Sequence, residues 1–396
     1  MPVGYRDQND DDDVPDLLLS VPFYVYEELS WQNATYRGQP VGDAAWQKKD
    51  QGNARFNHGD DYFFIEAALK HPMRTRNILE AKLFFVPFLL NHIDSEFHGR
   101  RPLCLDGRCN YELLDYSQKL LRNFTTFKMY PERHVIVRSF FCSDGEPWNK
   151  KQSKHEGYNR FMEIFPQMTA IVFESRDKNL HFGRQKLSSY YVATPCELSE
   201  EKPYDVAMIA SMKDFADRKK ICRWLKNATS IKTSVCGRGS RCPALAQSKF
   251  GFHAPGDTWG SQRLMDIILS GSVPLFTHTE QYKIQGAWID WDQLSYYLPV
   301  HNDSIESRLK LTTHSLEPYA TKEIFLQRLE AIIKDTEGYE RRHKAVLEHI
   351  PLFDYATLYP FDTFMYMVQA DVYPETRHRK SQWSALILPP PHFTKP

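Results

Sequence analysis

The sequence predicts an α/β protein built from two Rossmann-like domains, and three observations carry that prediction. A chain of 396 residues exceeds what one hydrophobic core organises, so it divides. Glu80 to Phe88 reads EAKLFFVPF, the near-continuous apolar run of a parallel strand covered on both faces. Ser248 to Phe276 reads as one βαβ unit: a strand from Lys249 to Ala254, a turn at Pro255-Gly256-Asp257, a helix of about ten residues from Ser261, and a strand from Val273.

Composition narrows the class. Apolar residues make up 42% and charged residues 25%, values of a globular chain. Fifty basic and fifty acidic residues cancel, which excludes a dedicated nucleic-acid binder and a polybasic membrane-surface protein. No run approaches the roughly twenty apolar residues that span a bilayer, and the N-terminus lacks the basic-then-apolar order of a secretory signal. Taken literally, the chain is soluble. The aromatic content of 14% suits ring platforms for sugars and suits cores equally.

In chain order, the acidic run Asp10 to Asp13 marks a solvated tail. Val21 to Tyr26 is the first strand, Asp61 to Leu69 a helix, and Glu80 to Phe88 the buried strand, with Asn91, His92 and Asp94 after its carboxyl end. That end is the side on which open α/β sheets bind ligands. Tyr111 to Asn123 is a helix; Arg133 to Phe141 and Thr169 to Glu174 are strands. The second half opens with the strand Tyr204 to Ala210 and the basic helix Ala216 to Asn227. Helices follow the βαβ unit at Lys322 to Ile333 and Pro360 to Tyr373, before a Pro-rich extended tail.

The βαβ helix inverts the usual surface pattern. At 100° per residue, Gln262, Arg263, Asp266 and Ser270 share a narrow polar stripe, while Leu264, Met265, Ile267, Ile268 and Leu269 cover the rest. A mostly buried helix with an arginine at its start, behind a Gly-containing turn, suits an anion. A diphosphate would meet the Gly256 turn, Asp257, Ser261 and Arg263, with Asp266 accepting from ribose hydroxyls. An intrahelical Arg263–Asp266 pair is the structural alternative.

Cysteine usage points to an oxidising compartment. Cys104 and Cys109, and Cys236 and Cys242, bracket loops of a length that suits small disulfides better than structural zinc, and Cys222 reads as core. Sequons at Asn33, Asn123, Asn227 and Asn302 agree. Asp290-Trp291-Asp292 matches a formal Asp-x-Asp metal motif but sits in a Trp-rich segment.

The string SKF-G-F-x-A-PGDT-x-x-S-x-RL-x-D-I-x-x-SG-S-VP-L-F resembles the core signature of the exostosin-like glycosyltransferases, and the likeness continues through Trp288-Ile-Asp-Trp-Asp-Gln-Leu294. Further matches are the first strand and LFFVPF, with Lys82 where the family usually has an acid, His134, and Tyr191-Val-Ala-Thr-Pro195. Departures are Arg133 for an acid, Ala210-Ser211 for a Gly turn, and Gly251 and Ser272 where cysteines are usual.

The resemblance implies a GT-B fold, two Rossmann-like domains facing each other across a cleft. The implied division is an acidic tail over 1–20, an acceptor-side domain over 21–195, a nucleotide-sugar domain over 196–350, and a helix returning to the first domain with a tail over 351–396. It implies inverting transfer from a UDP-sugar to a glycan or glycoprotein hydroxyl in polysaccharide biosynthesis. No obligatory metal or other cofactor is expected. Asp144 is implied as the base, with Glu146, His92 and Asp94 as acceptor-side alternatives, and Arg218 joins the donor set. The implied setting is the Golgi lumen, with homo- or hetero-oligomers with a related transferase as partners. A catalytically silent member that binds nucleotide or steadies a partner is the alternative.

Overall fold

The computed structural model describes residues 17–29, 31, 34–36, 39–41, 59–90, 103–138, 167–172, 185–188, 193, 195–212, 215–255, 261–279, 281–282, 289–301 and 320–376. Two parallel sheets organise them. The first contains β1 (Phe23–Val25), β2 (Arg74–Thr75), β3 (Leu83–Val86), β4 (His134–Arg138), β5 (Thr169–Val172) and β6 (Gln185–Ser188), in the spatial order β6-β5-β4-β3-β1-β2. Helices α1 (Asp60–Lys70) and α2 (Asn110–Asn123) belong to this half. All four residues of β3 are buried, as its unbroken apolar run requires.

The second sheet contains β7 (Tyr204–Ile209), β8 (Thr233–Gly237), β9 (Ser248–His253), β10 (Val273–Phe276) and β11 (Tyr296–Tyr297), all parallel, in the order β8-β7-β9-β10-β11. Its helices are α3 (Ala216–Lys226), α4 (Arg241–Ala246), α5 (Gln262–Ile268), α6 (Lys322–Lys334) and α7 (Thr336–Phe353). In both sheets the strand order reverses once, between β1 and β3 and between β7 and β9. Such a reversal leaves a crevice at the carboxyl ends of the two strands.

Helix α5 is seven residues long rather than ten. The chain leaves it through Leu269 and Ser270 and turns at Gly271, whose φ of +66° is the left-handed conformation that glycine adopts at low cost, into β10. The buried and half-buried positions follow the predicted stripe: Leu264, Met265, Ile267 and Ile268 are buried, and Gln262, Arg263 and Asp266 are half-buried. Gly251 of β9 makes room for this packing, because a Cβ there would stand 2.5 Å from Cγ1 of Ile267.

Helix α8 (Tyr359–Val372) packs on the first sheet. The Phe361 ring lies 5.3 Å from those of both Phe23 and Phe85, tilted against the first and edge-on to the second. The buried Asp362 carboxylate accepts from the backbone N–H groups of Leu18 (2.7 Å) and Leu19 (3.0 Å) and from His71 Nε2 (3.1 Å). The His71 tautomer follows, because its Nδ1 accepts from Met73 N–H. Helix α7 bridges the halves, touching α5 and β10 on one side and α8 on the other.

Three disulfides correct the cysteine reading. Cys104–Cys109 closes the predicted small loop, a tight hairpin. Cys236 does not pair with Cys242: it lies on β8 beside α3 and bonds Cys222, whereas Cys242 at the start of α4 bonds Cys196 in the segment entering the second half. The 236–242 stretch is the end of a strand, a turn and the start of a helix, and each cysteine faces a different layer. Asn123 and Asn227 are exposed, while Asn33 and Asn302 lie outside the described residues. Among the described residues no helix is long and apolar enough to cross a membrane.

Candidate anion site at the β7–β9 crossover

The reversal between β7 and β9 is where the sequence-predicted Arg263 lies. As the second residue of α5, it lies on the helix's polar stripe, and its side chain reaches the carbonyls at the ends of β7 and β9. Its Nε donates to the carbonyl of Ile209 at the end of β7 (2.7 Å), and Nη1 donates to that of Ala254 after β9 (2.9 Å) and to Ser261 Oγ (3.3 Å). The guanidinium thus spans the crevice. Its Nη2 makes no hydrogen bond among the described residues, which leaves two N–H donors for a ligand.

Ser261 is aimed by a buried relay. Gln281 Oε1 accepts from the backbone N–H groups of Thr277 (2.8 Å) and His278 (2.9 Å), so its Nε2 is the donor that reaches His253 O (2.6 Å) and His253 Nδ1 (2.8 Å). An Nδ1 that accepts puts the imidazole proton on Nε2, which donates to Ser261 Oγ (3.1 Å). Burial, with Arg263 and Arg218 nearby, holds His253 well below the usual histidine range, so it is neutral. Ser261 accepts twice and does not cap its helix, leaving its own O–H to donate.

Arg218, in the first turn of α3, is 3% exposed; its Nη1 donates to Ser211 O (3.0 Å) and its guanidinium lies 3.8 Å from the centre of the Phe215 ring. Burial first, and then the charge of Arg218, pushes Arg263 down to about 9, still cationic at neutral pH. Two guanidiniums that repel each other in a half-dry crevice favour an anion between them. Asp266 pairs instead with Arg241 of α4, and burial raises its carboxyl despite that partner.

No protein-family model matches the chain, and no curated protein matches it. Among solved structures it is similar to the GtfA/B complex, at 12% identity and a TM-score of 0.35 over 68% of this chain and 65% of that one. It is likewise similar to the pneumococcal O-GlcNAc transferase GtfA in complex with UDP and GlcNAc (10%, 0.35, over 69% and 65%). A third is TarM (10%, 0.37, over 68% and 61%). The chain spans just under two thirds of each of these proteins, and overlap this slight identifies neither a family nor an activity.

The remaining predicted residues fall elsewhere. His92, Asp94, Asp144 and Glu146, and Gly256 and Asp257 of the turn, lie outside the described residues. The adjacent strands β3 and β4 end at Val86 and Arg138, ahead of the first four. His134 opens β4 at the opposite edge, where Nδ1–H donates to Tyr130 O (2.8 Å) and Nε2 accepts from Tyr26 O–H (2.7 Å). Asp290 of the formal Asp-x-Asp caps a short helix by accepting from Asp292 N–H (3.2 Å). Gln281 carries no sequence signal: a lone glutamine is read only through the atoms it joins.

Proposed function

We infer that the chain is an inverting, exostosin-like glycosyltransferase of GT-B architecture that moves a sugar from a nucleoside diphosphate, UDP by the resemblance, to a glycan or glycoprotein hydroxyl. The observation that carries this reading is the placement of Arg263 across the β7–β9 crevice with one face of its guanidinium open. That is where a doubly wound sheet receives a diphosphate. Arg263, Arg218 and the Ser261 hydroxyl then meet the phosphate oxygens, and the charge that grows on the leaving diphosphate is stabilised by groups already in place.

In the proposed reaction the acceptor oxygen forms a bond to the anomeric carbon as the bond to the diphosphate breaks. The diphosphate departs with the electron pair, and a base takes the acceptor proton. Asp144 is assigned as that base, with 21–195 as the acceptor side and 196–350 as the donor side of the cleft. The two guanidiniums supply charge neutralisation without an obligatory metal. Gly251 and Ser272, the departures from the family signature, have structural roles: Gly251 clears Ile267, and the Ser272 hydroxyl is 2.6 Å from Leu245 O and 2.9 Å from Ser248 O.

Calorimetry with UDP, paired with a UDP-sugar transfer assay on mixed glycan acceptors, tests the reading. UDP binding is expected, and Asp144→Asn is expected to retain it while transfer falls by about 100-fold or more. Absence of UDP binding overturns the site; full transfer by the Asn variant overturns the base. Binding without transfer by the unaltered chain identifies the silent alternative.

A further inference from the structure

Beside the crevice, three side chains from three elements converge. Asp217 lies in the first turn of α3, His278 follows β10, and His301 follows β11. His278 Nε2 is 2.9 Å from Asp217 Oδ2, and His301 Nε2 is 3.4 Å from Asp217 Oδ1. The two imidazole rings stand 5.3 Å apart. The three ligand atoms all lie within 4.8 Å of one another.

We propose that Asp217, His278 and His301 form a binding site for a zinc ion, separate from the diphosphate site. Two neutral imidazole nitrogens and one carboxylate are the donor set of open zinc sites, in which water completes a tetrahedron. Ligand atoms at zinc distances lie about 3.3 Å apart in that geometry. The contacts of His278 and His301 with the two Asp217 oxygens, 2.9 and 3.4 Å, are close to this value, and with all three ligand atoms within 4.8 Å a modest side-chain rotation brings them to it. The histidine side chains are 12% exposed and that of Asp217 is 21%, sheltered enough to exclude bulk water yet open to an entering ion. The backbone of His278 is held from behind by Gln281, whose Oε1 accepts its N–H.

The site's position gives it a consequence. Asp217 immediately precedes Arg218, so a bound ion ties the first turn of α3 to the segments after β10 and β11. It thereby fixes the turn on which Arg218 reaches Ser211. Zinc binding is measured without nucleotide, so its outcome does not depend on the proposed transferase reaction.

The full chain, stripped of metal with a chelator and dialysed, is titrated with Zn2+ by calorimetry at pH 7.5, with Mg2+ as the comparison. One equivalent of Zn2+ is expected to bind, with no comparable Mg2+ binding. His278→Ala, His301→Ala and Asp217→Asn should each weaken that equivalent by at least about 10-fold. Zinc binding that is absent, or unaltered in all three variants, overturns the proposal. Co2+ substitution in the unaltered chain supplies a reading that needs no variant. Intense visible bands of four-coordinate nitrogen and oxygen ligation support the site; thiolate charge-transfer absorption or a weak six-coordinate spectrum refutes it.

Discussion

The Nε of Arg263 lies 2.7 Å from the carbonyl oxygen of Ile209, so one side chain joins the ends of the two strands whose order reverses. The same guanidinium is therefore a clasp for the sheet and a donor for a ligand. The two roles separate under mutation. Arg263→Ala should raise the UDP dissociation constant about 10- to 100-fold, the worth of hydrogen bonds to a charged group, and lower the melting temperature as well. Arg263→Lys keeps a charge without the fork and should recover only part of the affinity. Unchanged UDP affinity in the alanine variant removes Arg263 from the donor site.

Gly251 offers a test at a distance. Adding a methyl group forces Ile267 and with it α5, the carrier of Arg263, away from β9. Gly251→Ala should cost about 1–3 kcal/mol in urea unfolding, the usual range for overpacking, and weaken UDP binding although no ligand contact changes. Pairing it with Ile267→Ala, which removes all three crowding carbons, should recover UDP binding relative to Gly251→Ala alone.

The buried histidines set an acid limit. His134 is pushed down to about 3 by burial, from an ordinary 6.5, and His253 is also held well below that value. Both are neutral when folded and take a proton when the chain unfolds. Their contribution is therefore complete above pH 6.5 and is lost as pH falls below it, for His134 down to about 3. Each histidine steepens that loss by up to about 1.4 kcal/mol per pH unit. Denaturant unfolding between pH 7.5 and 5 should show the slope, and His134→Gln should flatten it by one proton.

Non-reducing peptide mapping should recover the pairs Cys104–Cys109, Cys196–Cys242 and Cys222–Cys236. Opening the Cys222–Cys236 bridge by a double serine substitution should destabilise the second half by about 3 kcal/mol, the loop-closure value for its span. Recovery of a 236–242 peptide linkage would overturn the arrangement.

Patterns confined to one element were legible before the structure. The apolar run of β3 and the inverted stripe of α5 announce burial on their own, and the strands and helices of the βαβ unit fall within a residue or a turn of their predicted limits. What escaped depends on contacts between elements. The strand Thr233–Gly237 was hidden because its cysteine read as half of a local loop, when its partner is one layer away on α3. Helix α7, 18 residues rich in charge, shows a weak stripe because it packs on both halves at once. Asp266 shared a stripe with Arg263 in sequence, yet its partner Arg241 comes from α4, which local periodicity cannot see. Likewise Asp217, His278 and His301 are unremarkable separately and meet only because three connections end at one edge.

The grip of Asp362 on Leu18 and Leu19 spans 344 and 343 positions of sequence. Synthesis from the N-terminus therefore releases the first sheet long before the helix that covers it exists, while the second sheet has its partners near at hand. The layer made earliest is the one completed last. Until α8 arrives, Phe23 and Phe85 lack the ring that seals them, and any shortening that removes residues 359–372 leaves them open to solvent permanently.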